Sequence, residues 1–201
     1  MTRARRTGVC LVLAIVCIAG TSCHLRRPPT TTARMIEPQV LEPQQSDTAN
    51  PSPKEANAAP VRLLDTQARG HIGRRLLRQQ ANGELTEDPV WRWSSNPDRY
   101  LDTALRSQIA SSPNVQLVDT DSATAVAATL LVWDLESAGN TQLVGAAEFQ
   151  ITGPDRLVHT QIVRGSEPVS AELPGDLAAA AGRLMRRLAS DGLQRVAKVG
   201  E

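Results

Sequence analysis

Apolar positions along this chain change their spacing several times, and each change predicts an element. From Val9 to Ala19 they are nearly continuous, from His24 to Ala59 they are sparse, and beyond Pro60 they settle into strand-like and helix-like periods. Val61 and Leu63 predict a first strand, and Ile72 to Gln79 a second that carries arginines on one side. Asn82-Gly83 tolerates the positive φ of a tight hairpin, so the chain is expected to turn there and return through Leu85 to Trp93. Ser95-Asn96-Pro97-Asp98 reads as a helix start, with a capping side chain, a proline at the first helical position and an acid at the positive end of the dipole. Leu101, Leu105 and Ile109, with Ala104 beside them, form one buried stripe that Ser111-Ser112-Pro113 ends.

Val115 to Val118 predicts a short strand, and Ala127 to Glu136 a longer one whose apolar residues fall on both faces, as a central strand requires. Gly139-Asn140 turns the chain into residues 142–152, where Leu143, Ala147, Phe149 and Ile151 alternate with polar neighbours. Gly153-Pro154-Asp155-Arg156 turns it again into residues 157–164, so 127–164 is expected to be an antiparallel meander. A last helix starts near Pro174-Gly175-Asp176; Leu177, Ala181, Leu184 and Leu188 line its buried face, while Arg183, Arg186 and Arg187 reach water past their stems. The order of strands, helix, strands and helix predicts an α+β domain, a mostly antiparallel sheet with two helices packed on one face.

The continuous N-terminal run changes this picture. Arg3, Arg5 and Arg6 precede it, and Gly20-Thr21-Ser22 supplies small residues just before Cys23. This is the pattern of a bacterial export signal ending in a lipobox, in which the cysteine is acylated and becomes the first mature residue; Gly20 stands where such motifs usually carry Leu. Val9 to Ser22 is 14 residues, short of the ~20 a membrane span needs. A plain secretory cleavage after Ala19-Gly20-Thr21 or Gly20-Thr21-Ser22 is the other reading. More than one acyl chain makes attachment stable, at ~0.8 kcal/mol per buried methylene.

Residues 24–59 are rich in Pro, Thr, Gln, Asn and Ser and hold no aromatic residue, so they bury too little to offset their chain entropy. The expected organisation is a signal peptide over 1–22, a lipidated Cys23 with a disordered tether over 23–59, and one domain over 60–201. Met35-Ile36 and Val40-Leu41 are the apolar pairs in the tether, and docking on a partner is their alternative role. Cys10 and Cys17 lie inside the signal, so Cys23 is the one cysteine left and neither a disulfide nor a cysteine metal site is expected within the mature chain. The domain carries 15 Lys and Arg against 17 Asp and Glu, a formal charge of about −2, which argues against nucleic acid as a partner.

Candidate chemistry is sparse. His71 and His159 are the domain's histidines, and neither has a neighbouring His, Cys or carboxylate at metal-ligand spacing. No nucleophile elbow, phosphate loop or dinucleotide fingerprint occurs, and Glu84, Glu87, Asp88, Asp119 and Asp121 read as solvated acids in turns. No catalytic residue, metal or cofactor is expected. Trp93, Trp133 and Phe149 are expected in the core, whereas Trp91 and Tyr100, flanked by charges, are candidates for a partner interface. Arg74, Arg75 and Arg78 are candidates to meet an acidic partner surface, with a solvated strand face as the alternative.

Leu76-Leu77-Arg78, the Asn-Gly hairpin, Glu84-Leu85, Arg92-Trp93, Pro97 and Tyr100-Leu101 with Leu105 resemble the ABC-type transport auxiliary lipoprotein family, also called PqiC-like. The small-residue strand from Gly145 to Phe149 and the C-terminal amphipathic helix are similar too, and the resemblance covers roughly Pro60 to Ala197. The family's first-strand motif is poorly matched at Val61 to Ala68. The resemblance implies an outer-membrane lipoprotein facing the periplasm, a non-catalytic accessory to an ABC transporter and a mammalian-cell-entry (MCE) protein that move lipids across the envelope. It admits a homo-oligomer. The alternative is a structural envelope lipoprotein that binds peptidoglycan or another envelope protein.

Overall fold

Residues 124–136 carry buried side chains on both faces, and they form the axis of the sheet. The computed structural model describes residues 32–40, 58–137, 140–170 and 173–194. Its strands are β1 (Arg34–Ile36), β2 (Ala59–Leu63), β3 (Gln67–Ala68), β4 (Arg75–Gln79), β5 (Leu85–Trp93), β6 (Val115–Leu117), β7 (Thr124–Glu136), β8 (Gln142–Thr152) and β9 (Val158–Pro168). Helix α1 (Pro97–Ser111) separates β5 from β6, and α2 (Pro174–Leu193) follows β9. The signal segment, Cys23 and residues 41–57 lie outside the described residues.

The fold is α+β with a mixed, mostly antiparallel nine-stranded sheet. On one side of β7 the ladder to β8 runs from Ala125↔Thr152 to Glu136↔Gln142, and β8 passes it on to β9, which completes the expected meander. On the other side three short parallel strands tile β7: β2 at Thr124 to Val126, β3 at Thr129 and Leu130, and β4 at Asp134 to Glu136. β5 pairs antiparallel with β4 across the hairpin in which Gly83 adopts φ 84°, and β6 adds to β2. Apolar stripes of both helices meet the sheet. Leu101, Ala104, Leu105 and Ile109 of α1 and Leu177, Ala181, Leu184 and Leu188 of α2 are all buried in the core that holds Trp93, Trp133 and Phe149. The rings of Trp93 and Trp133 lie 5.6 Å apart at 51°, a tilted arrangement that aromatic pairs favour.

The structure corrects three local expectations. Asn96 sits at the N-cap of α1 in an extended conformation but makes no side-chain capping bond, so Pro97 and Asp98 carry the start of the helix. The second strand begins at Arg75, because Ile72 closes a turn onto the Arg69 carbonyl at 2.8 Å. The third concerns the boundary placed at Pro60. Arg34, Met35 and Ile36 pair in parallel with Trp91, Arg92 and Trp93, and Ile36 and Val40 are 1% and 4% exposed. These residues belong to the domain, where the sequence reading has tether; Ile36 and Val40 bury against their own domain.

Candidate functional site

The β4–β5 hairpin gathers most of the residues singled out for partner contact. Its ladder is irregular: Arg75 pairs with Arg92, but Leu77 pairs with Glu87, so the residues around Pro89 bulge out of register. Asp88 orders the bulge. Its Oδ1 accepts the backbone N–H groups of Val90 and Trp91, each at 2.8 Å, and its Oδ2 accepts from Arg78 Nε at 2.8 Å. Burial pushes the Asp88 carboxyl up, but the Trp91 and Val90 N–H groups and the Arg78 guanidinium outweigh it and hold the group below the ordinary aspartate value. Asp88 is thus buried at 6% exposure and structural, not a solvated turn acid.

The arginines do not share a face. Period-two alternation sets Arg75 on the side of Leu77 and Gln79 and Arg78 on the other. Arg75 pairs with Glu87, Arg78 serves Asp88, and Arg74 donates from Nε to the Trp93 carbonyl at 3.3 Å. Tyr100, a candidate interface residue, is instead buried at 6% exposure, its hydroxyl accepting from the Ser95 N–H at 2.7 Å and bonding Ser94 Oγ. Trp91 is half-buried, and the Arg34 guanidinium lies 5.6 Å from its ring centre. Arg74 and Arg75 are the exposed members of the set, whereas Trp91, on the Trp93 face of β5, packs partly against the core.

Beside them lies an open cleft of about 640 Å³, lined by His71, Arg75, Leu77, Leu85, Glu87 and Arg92 among others. Its wall is amphipathic: Leu85 is 43% exposed between charged side chains of both signs. On the same face as Leu77, its register partner Asp134 is 6% exposed and its Oδ1 has no partner. Burial pushes the Asp134 carboxyl above the ordinary value, a neighbouring His71 opposes this and Glu136 adds to it. His159 lies exposed on the edge strand β9. Among the described residues, no group of three or more His, Cys, Asp or Glu is placed to hold a metal ion, and no helix is long and apolar enough to cross a membrane. Cleft and charge together suit a polypeptide surface that meets apolar and charged groups at once.

Arginines of α2 also have fixed employment. Arg183 and Arg187 both pair with Glu167 of β9, at 2.9 and 2.6 Å, and Arg186 donates to the Gln39 carbonyl at 2.6 Å. Sequence reasoning treats all three as a helix surface. The missed signal is Glu167, an acid in strand alternation with Val163 and Gly165 on the face that α2 covers.

No family model and no curated protein matches the sequence. Solved structures do. XCC0632 from Xanthomonas campestris, of family DUF330, aligns over 84% of this chain and 97% of its own with 16% identity and a TM-score of 0.63. The hypothetical protein CT253 from Chlamydia trachomatis aligns over 70% of this chain and 96% of its own with 12% identity and a TM-score of 0.50. At such identities the similarity is one of fold, and it spans nearly the whole of both relatives.

Proposed function

We propose that this chain is a non-catalytic accessory lipoprotein of an ABC transporter/MCE-type system that moves lipids across the bacterial envelope. Cys23 carries the lipid anchor, the membrane is the outer one, and the domain faces the periplasm. The observation that carries the reading is the fold shared with the DUF330 protein over 97% of that chain, because it agrees with the PqiC-like resemblance of residues in the hairpin and α1. The signal and Cys23 support it independently. The partner surface we assign is the hairpin cleft with Arg74, Arg75 and Leu85, whose chemistry fits a protein partner and offers no nucleophile–base pair to a substrate.

Crosslinking in cells followed by purification of the full chain tests this. An MCE protein and transporter subunits are expected among the products, and Leu85→Asp with Arg75→Glu is expected to remove them without loss of the folded domain. Recovery with peptidoglycan sacculi alone would replace this reading with the structural one.

A further inference from the structure

We propose that residues 33–40 are a releasable strap that sets how far the domain stands from its anchor, an inference that rests on the lipid-anchor reading of Cys23. Ten residues lie between Cys23 and Arg34, and 35 lie between Cys23 and Ala59. At 3.3–3.6 Å per residue the docked strap limits the reach to roughly 36–40 Å, whereas an undocked one allows roughly 120–130 Å. The same sequence thus holds a short leash and one about three times longer.

The strap's contacts fall on β5, α1 and α2, and they include the Tyr100 hydroxyl on Glu37, the Arg34 guanidinium on the Trp91 ring and an Arg186 bond to the Val40 carbonyl. β1 contributes three register pairs to the β5 edge, and the Ser94 N–H donates to the Ile36 carbonyl at 2.9 Å. Further on, the Gln39 N–H donates to the Ala178 carbonyl at 3.2 Å, and Arg186 holds the Gln39 carbonyl. Ile36 and Val40 supply the buried apolar area. Beside Glu37 to Val40 a cavity of about 770 Å³ opens toward Arg99 and Thr103, and no other described residue lines the strap there besides Ser95 and Tyr100. A short segment on a sheet edge with open space beside it belongs to the low-stability end of a fold.

Gly182 gives a handle on the strap alone. A Cβ there would stand 2.3 Å from the Gln39 carbonyl oxygen and 2.7 Å from its carbon, backbone atoms that cannot rotate away, and the three nearest atoms it meets are all Gln39's. Gly182→Ala is therefore expected to expel the strap while leaving the sheet side of α2 packed. Arg186→Gln removes two of its bonds, those to the Gln39 and Val40 carbonyls, more gently.

Limited trypsin digestion of the full chain reads the docking, since Arg34 lies in the strap and Arg156 in an exposed turn of the domain. Gly182→Ala and Arg186→Gln are expected to speed cleavage after Arg34, the former by about tenfold or more, with cleavage after Arg156 unchanged. Equal rates after Arg34 in wild type and both variants would overturn the strap, and so would equal acceleration at both sites. The lipidated chain in phosphatidylethanolamine/phosphatidylglycerol vesicles reads the leash. A dye on Asp155→Cys is expected to transfer less energy to headgroup acceptors in Gly182→Ala than in the otherwise wild-type chain. Unchanged transfer with faster cleavage would overturn the leash. Failure of the wild type to bind vesicles would instead overturn the anchor reading, and the protease result would then judge the strap by itself.

Discussion

Two aspartates on the β4–β5–β7 side of the sheet behave in opposite ways, and the difference is a matter of donors. Asp88 receives three hydrogen bonds, so its folded value lies below the unfolded one, and its contribution is present above about pH 4 and lost as pH falls through the lowered value. Asp88→Ala strands the Val90 and Trp91 N–H groups and breaks the buried pair with Arg78; a loss of about 3 kcal/mol is expected in urea unfolding at pH 7, shrinking in acid. Asp134 has no partner at Oδ1 and a raised folded value, so its ionised form is the one the fold penalises. Asp134→Asn is expected to stabilise by about 1 kcal/mol at pH 7, and the gain should fade as pH falls toward the ordinary aspartate value. Neither role is visible in sequence. Glu87-Asp88-Pro89 looks like a solvated turn because the N–H groups that hold Asp88 are presented only once β5 bulges against β4.

At the scale of elements, local signals were the legible ones. The hairpin at Asn82-Gly83, both helix starts and the meander follow from turn residues and periodicity that act within a few positions. β1 was not legible, since three residues beside Pro and Thr carry no period and their strand is specified by an edge some 57 positions away, at Trp91. The close packing of α2 on β8 is also nonlocal. A Cβ at Gly192 would meet the Phe149 ring at 2.4 Å, inside a fully buried site. Gly192→Ala is expected to cost about 2 kcal/mol in thermal or denaturant unfolding, and Phe149→Leu in the same chain to recover part of it. A full recovery without the second change would mean that α2 can slide on the sheet.

For the whole molecule, the exposure of the candidate residues was partly legible: Arg74 and Arg75 are exposed, while Trp91 packs partly against the core and Tyr100 and Arg78 serve the fold. Charge flanking a ring does not tell a strand face from a helix face, and that is what decided Tyr100. The proposed lipid anchor would act on the molecule as a unit. Cys23→Ser is expected to abolish the acyl mass at the mature N-terminus and move the chain from the membrane to the soluble fraction, with loss of complementation; full complementation by the soluble form would make the anchor dispensable.

The tiling of β7 has a consequence for the order in which the chain is delivered. β1 waits for β5, β2 for β6 and β7, and β3 for β7, so every strand before β4 has its partner later in the sequence. A chain delivered N-terminus first therefore reaches Trp93 before β1 can pair, Leu117 before β2 meets β6, and Glu136 before the central strand is complete. Pulse-labelled hydrogen exchange should find protection in the β7–β9 meander no later than in β2 and β3. A chain ended at Asn114 should show none in those two strands. On the proposed envelope reading, the β2–β3 side of the sheet would close only after its central strand has crossed the membrane.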